Sequence, residues 1–142
     1  MSPFEKCFIM LCNKRTEAEC LARGLFGDMA SRIDYYREVK PGDLGFLLNV
    51  GTDELIGPFR ACSQAQLDIE EEAWFGKFRA QIRVEPIGEI RRLGHGQALL
   101  NGIGVALDRI RSGASVPLLP VQSRDTGEAL LTAMHAGDPL SP

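Results

Sequence analysis

A chain of 142 residues, 44% hydrophobic and 25% charged, has the size and balance of one globular domain, so residues 1–142 are read as a single unit around one core. A net charge of −3 and a pI near 5.4 exclude a surface that traps polyanions indiscriminately, so any nucleic-acid site must be local. Apolar runs such as residues 46–50 fall far short of the roughly 18 residues of a membrane span, and Glu5 and Lys6 interrupt the start before a signal-like stretch develops; the expectation is no membrane contact and a cytoplasmic location.

Residues 7–11 (C-F-I-M-L) form a short unbroken apolar run, as expected of a strand buried on both faces. Thr16 and Glu19 have the spacing of a capping box, which predicts a helix running to about Arg23 and stopping at Gly24 in a left-handed cap. Lys40-Pro41-Gly42-Asp43 is turn chemistry and leads into a strand over residues 44–50. Gly51-Thr52-Asp53 makes a second tight connection to a strand over 54–62, bulged at Gly57-Pro58, and the two strands read as a hairpin. Residues 79–84 (R-A-Q-I-R-V) alternate polar and apolar, the mark of a strand with one wet face.

Leu99, Ile103, Leu107 and Ile110 fall at helical spacing and predict a helix over 96–111, against which Gly102 and Gly104 weigh. Residues 112–115 are a loop, 116–121 with two prolines a short edge strand, 127–136 a terminal helix and 137–142 a frayed tail. Short strands mixed with a few helices predict an α+β domain around a curved or barrel-like sheet.

Cys7, Cys12, Cys20 and Cys62 contain no C-x-x-C pair, and only His95 and His135 accompany them, so the thiols are read as reduced and packed and no metal or other cofactor is expected. Neither histidine stands in a nucleophile or metal motif, and neither G-x-S-x-G nor a P-loop occurs. The expectation is a binding protein and not an enzyme.

The first half resembles the DCD domain, in the run from Phe8 through L-C-N-K-R-T-E-A-E-C-L-A-R-G-L-F-G to Gly27, in K-P-G-D-L-G-F-L-L-N from Lys40 to Asn49, and in R-A-Q-I-R-V. The same positions, with W-F-G-K-F from Trp74 to Phe78 and S-R-D-T-G-E from Ser123 to Glu128, also resemble a YTH domain in order and rough spacing along nearly the whole chain. Both, with the EVE domains, are regarded as PUA-like folds, so the resemblance implies a small curved β-barrel flanked by helices. It further implies a reader of a modified base, methylated adenine or similar, in RNA or in DNA; a DCD-like module that recruits a protein partner is the alternative.

Carried over position by position, the YTH pattern places Cys12 and Asn13 at the base edge and Glu17 against the ring. It puts Phe26 and Trp74 at cage positions, Ile69 where many members carry another aromatic, and Arg124 and Asp125 beside the backbone of the bound strand. Phe26 stands for the usual Trp, Ile69 for an aromatic and Leu11 for a basic residue, so the implied cage is differently shaped. Most of these residues also have a plainer reading. Trp74 can instead be a large core residue, although the acids Glu70 to Glu72 before it suggest a solvated segment and a partly exposed ring. Phe26 can make a hydrophobic cap contact after the helix, Asn13 can close a turn, and Glu17 suits a helix's first turn whether or not a ligand exists. Asp125 can cap the last helix while Arg124 lies on the surface, against the reading of an arginine fork on a phosphate. Lys14-Arg15 and Arg91-Arg92 are short basic pairs, usually solvated, that could extend a phosphate track.

Overall fold

The computed structural model describes residues 4–140. Strand β1 (Lys6–Cys12) leads through helix α1 (Glu17–Arg23) to β2 (Leu25–Asp28), a 3-10 turn (Ala30–Tyr36) and β3 (Leu44–Asn49). There follow β4 (Glu54–Ala61), the two-residue β5 (Gln66–Leu67), a second 3-10 turn (Ala73–Gly76) and the long β6 (Ala80–Gly94). The chain ends through α2 (Gly96–Ile103), the pair β7 (Leu107–Arg109) and β8 (Ser115–Pro117), β9 (Val121–Ser123), α3 (Arg124–Met134) and β10 (Asp138–Pro139).

The main sheet runs β10-β6-β4-β3-β1-β9, with β2 and β5 also paired to β6. β1 and β3 are parallel, from Cys7 opposite Leu44 to Cys12 opposite Asn49, and a parallel pair must be covered on both faces. That requirement explains the unbroken apolar run of β1. The first part of β6 holds β2 and β5 while its later part pairs β4 and β10. β2 is thereby returned beside β1, and the sheet curls into a half-barrel within a mixed α+β fold.

Alternation along β1 divides the buried residues between two cores. Phe8, Met10 and Cys12 face the inside of the curl, with Phe26, Leu47, Ile56 and Trp74. Cys7 and Ile9 face outward to Phe46, Leu48 and Leu55, beneath Leu100 of α2 and Leu130 and Met134 of α3. Gly24 ends α1 at φ 60°, in the left-handed region where glycine carries no Cβ penalty, and its N–H donates to the Cys20 carbonyl.

Four expectations change. The helix expected over 96–111 stops at Ile103, where Gly104 turns to φ 103°, and Leu107–Arg109 pairs instead with Ser115–Pro117. Leu99, Ile103, Leu107 and Ile110 still pack against the outer core, so one apolar stripe is buried by two kinds of element. The single edge strand over 116–121 is two short strands, β8 and β9, separated at Pro120. The tail expected to fray pairs Asp138 with Arg92 and Pro139 with Arg91; residues 141 and 142 lie outside the described residues. Finally, Thr16 makes no side-chain cap of α1, and the Glu19 carboxylate turns to Trp74 and Arg23. Among the described residues no helix is long and apolar enough to cross a membrane, and no three His, Cys, Asp or Glu side chains converge on a metal site.

Candidate functional site

The turn from β1 into α1 is closed by Asn13. Its side-chain oxygen accepts from the backbone N–H of Arg15 at 2.8 Å and of Thr16 at 3.1 Å, while its own N–H donates to the Thr16 hydroxyl at 3.0 Å. This is the local turn chemistry of an Asx residue. α1 then fixes the segment of Trp74, because Glu19 accepts from the Trp74 backbone N–H at 2.7 Å and from Arg23 at 2.8 Å. Arg23 in turn bridges to Glu70 and Glu72, and Arg83 also pairs with Glu70. Two of the three acids before Trp74 are therefore ion-paired braces, and the ring is 5% exposed where partial exposure was expected.

Trp74, Phe75 and Gly76 follow one another in the left-handed region at φ 49°, 56° and 77°. Non-glycine residues pay a steric cost there, and the segment is held by the Glu19 contact and by the Lys77 N–H donating to the Trp74 carbonyl. The tight coil turns Phe78 back onto Trp74, with ring centroids 5.8 Å apart and planes at 72°. It throws the Phe75 ring wholly into solvent, at 102% relative exposure.

Between these elements lies a cleft of about 170 Å³, lined by Leu11, Cys12, Asn13 and Thr16 on one side and Gly27, Asp28, Trp74 and Phe78 on the other. It is below the roughly 300–1,000 Å³ of a pocket for a drug-sized ligand and suits one small flat group. Its floor is neutral. Burial pushes the Cys20 thiol up to about 12 and raises Cys12 as well, so both stay protonated at neutral pH. The polar edge is Asp28, whose carboxylate accepts from the Met29 N–H at 2.7 Å, Arg32 at 3.0 Å and the Tyr36 hydroxyl at 2.5 Å.

A second groove, of about 300 Å³, continues from the first over Asn13, Thr16, Trp74 and Phe78 and adds Arg15, Glu19, Phe75 and Lys77. Arg15 and Lys77 line this groove, Lys14 stands next to Arg15 in an adjoining shallow hollow with Asn13 and Gly51, and none of the three has an ion-pair partner among the described residues. The Lys77 ammonium lies 5.4 Å from the centroid of the Phe78 ring.

Cys12, Asn13 and Trp74 thus meet at the cleft, beside Gly27 of the L-F-G segment. Phe26 does not reach it. Its ring is 0% exposed and sits edge-on between Phe8 and Phe59 in the inner core, where β2 lies against β6. Ile69 packs against the same core, outside the cleft lining. Glu17 faces away into a network with Arg92 and Asn49, and the Arg92 hydrogen bond, with help from Asn49, holds its carboxyl below the usual range. Arg124 and Asp125 begin α3, capped by Ser123 and not by Asp125. Ser123 is paired with Lys6, at the far end of β1 from Cys12, about 20 Å away at strand rise, and α3 covers the outer core. Arg124 is instead paired with Glu128 and lies 5.8 Å from the centroid of the Phe4 ring.

Phe78, Asp28 and Phe75 were missed in the sequence, although Phe75 and Phe78 stand in the W-F-G-K-F phrase beside Trp74.

Comparison with known proteins supplies the family. The profile of the development and cell death domain matches residues 6–97. Over 84 residues the chain is 39% identical to the DCD domain-containing protein NRP-B of Glycine max and 38% identical to the B2 protein of Daucus carota, a match covering 54% of this chain. The match spans 26% of the length of NRP-B and 41% of that of B2. Among solved structures, the mmi1 YTH domain in an RNA complex superposes with a TM-score of 0.65 at 14% identity, over 94% of this chain and 83% of that one. The YTH domain of Zygosaccharomyces rouxii MRB1, solved with N6-methyladenosine RNA, superposes with a TM-score of 0.62 at 13% identity, over 96% and 90% of the two chains. The fold is that of YTH domains, and by its sequence the chain belongs to the development and cell death domain family.

Proposed function

We propose that the cleft reads one modified base, methylated adenine or similar, presented by a single strand of RNA or DNA. The observation that carries this reading is the convergence of Cys12, Asn13, Gly27, Trp74 and Phe78 on a slot sized for one flat group, in a fold whose solved relatives include YTH domains bound to N6-methyladenosine RNA. A base read in this way leaves its stack and needs an apolar wall for its face and a polar group for its edge. The Trp74–Phe78 corner supplies the wall. Asp28, an acceptor, suits the exocyclic N–H that a singly methylated adenine keeps.

The burial of Trp74 favours a second reading, in which the ring is structural and the domain recruits a protein partner. Direct titration separates the two. Trp74 is the sole tryptophan, so its fluorescence reports occupancy of the cleft. Short single strands, RNA and DNA, carrying either N6-methyladenine or adenine are titrated against the protein. The reader reading expects quenching and at least a fivefold preference for the methylated strand, the worth of about 1 kcal/mol for one buried methyl group. Equal binding of both strands sets the modified-base reading aside, and absent binding favours the protein-recruiting module.

A further inference from the structure

Phe75 has no use inside the fold. Its ring is fully solvent-exposed, yet its backbone is held in the left-handed region between Trp74 and Gly76, in a chain that buries its other phenylalanines wholly or in part. A large apolar side chain at a strained, braced position is costly unless something covers it. The groove beside it adjoins the cleft, the two sharing Asn13, Thr16, Trp74 and Phe78 in their walls. Its charge is one-sided. Lys14, Arg15 and Lys77 are three of the six Lys and Arg side chains that lack an ion-pair partner among the described residues, the others being Arg37, Arg109 and Arg111. Glu19, the acid in the groove, is already occupied by Arg23 and the Trp74 N–H.

We infer that Phe75 is a second stacking platform, on which the nucleotide next to the base in the cleft lies while Lys14, Arg15 and Lys77 hold the phosphates that join the two. The ligand is then a single strand of at least two nucleotides and not a free nucleoside. A solvent-facing aromatic ring beside unpaired cations is the combination that binds single strands without regard to sequence. A protein ligand would be expected to offer acids to all three cations and an apolar cavity to the ring, and it is the rival outcome of the test. The inference rests on the reading of the cleft given above for its register, but not for the existence of the platform.

The test measures binding of the full chain to N6-methyladenosine alone and to five-nucleotide RNA strands with N6-methyladenine or adenine at the centre. The parent is compared with Phe75→Ala, Phe75→Tyr and the triple variant Lys14→Ala, Arg15→Ala, Lys77→Ala. Because the ring is fully exposed, the thermal midpoint of Phe75→Ala should match the parent. The inference expects Phe75→Ala to weaken both pentanucleotides about 5- to 150-fold, Phe75→Tyr to restore them, and the nucleoside to be unaffected. The triple variant should flatten the salt dependence of strand binding, each lost phosphate contact removing about 0.7 from the slope. Pentanucleotide binding that is indifferent to Phe75 overturns the platform while a methyl preference keeps the cleft. Loss through Phe75 without any methyl preference overturns the cleft and keeps the platform. No strand binding by the parent overturns both and leaves Phe75 to a protein partner.

Discussion

A β-carbon added at Gly27 would stand 2.5 Å from Cζ3 of Trp74. Real side chains do not approach so closely, and the Phe78 Cβ, at 3.0 Å from the same point, closes the other way out. Gly27 is thus the seat of the indole. Gly27→Ala is expected to dislodge the ring, destabilise the fold by about 1–3 kcal/mol as overpacking does, and alter the intrinsic fluorescence of the native state. Urea denaturation followed by tryptophan emission checks this, and an unshifted midpoint with unchanged emission would show that the ring is not seated there.

Phe26 acts through the core. Its ring sits 5.0 Å from Phe59 and 6.3 Å from Phe8, with no solvent exposure, so Phe26→Ala leaves a cavity worth about 3–5 kcal/mol. The milder Phe26→Leu is expected to cost stability while leaving the affinity of the folded fraction for a methylated strand within about twofold. Calorimetry and titration on the same sample separate the effects, and a large affinity loss at unchanged stability would return Phe26 to the wall of the site.

Much of this was legible in the sequence, and the reason differs from element to element. The unbroken run of β1 required two covered faces, and Gly24 required a left-handed cap, so both could be read locally. β2 could not, since L-F-G-D is a strand only because β6 lies beside it. The end of α2 was hidden because its apolar stripe is buried equally well by a helix or by the β7–β8 pair. Trp74 stood out in its phrase, but its pairing with Phe78 depends on a coil of three left-handed residues that neither Trp nor Phe announces. Phe26 misled for a plain reason. Its place in a quoted phrase was visible, whereas the strand that carries it into the inner core was not.

Arg92 joins Glu17 of α1 to Glu54 of the hairpin, at 2.8 and 2.9 Å, beneath the turn that carries Asn13. The arginine hydrogen bond holds the Glu17 carboxyl below its usual range, so its stabilising share is present above the ordinary carboxylate pKa of about 4.3 and is lost as the pH falls through the lower folded value. Arg92→Met is expected to lose about 1–2 kcal/mol at pH 7, the network being partly reached by solvent. The difference from the parent should shrink as the pH falls below about 4. Denaturation midpoints between pH 3 and pH 7, taken as about four points, measure it, and a constant gap would remove Glu17 as its source.

Three of the four thiols are buried and Cys62 is exposed. Burial pushes the Cys7 and Cys20 thiols up to about 12 and raises Cys12, and since the thiolate is the nucleophile these three are doubly protected. The Cys62 thiol is also raised, by its modest burial and the nearby Glu85. A chromogenic thiol reagent at mild alkaline pH is expected to titrate one group slowly in the native protein and four after denaturation. Cys62→Ser should abolish the native reaction. Rapid native modification of Cys12 or Cys20, located by peptide mapping, would mean that the floor of the cleft opens.

Arg124 and Lys14 stand at opposite ends of β1, and strand binding should tell them apart. Arg124 follows Ser123, which is paired with Lys6, whereas Lys14 lies in the turn beyond Cys12. Arg124 is spent on Glu128, four residues on in the same helix, and on the face of Phe4; Lys14 has no acid partner among the described residues. An exposed pair of that kind contributes under about 1 kcal/mol, so Arg124→Ala should leave the fold nearly as stable as before. Because α3 covers the outer core and the cleft opens on the inner one, Arg124→Ala is expected to leave both the affinity for a methylated single strand and its salt dependence unchanged. Lys14→Ala should weaken methylated and unmodified strands alike and lower the slope of affinity against salt by about 0.7, one phosphate. Titrations at several salt concentrations measure both variants side by side. A flattened slope in Arg124→Ala would carry the strand around the domain to α3 and restore the arginine to the interface, whereas a flattened slope in Lys14→Ala alone confines the interface to the mouth of the cleft.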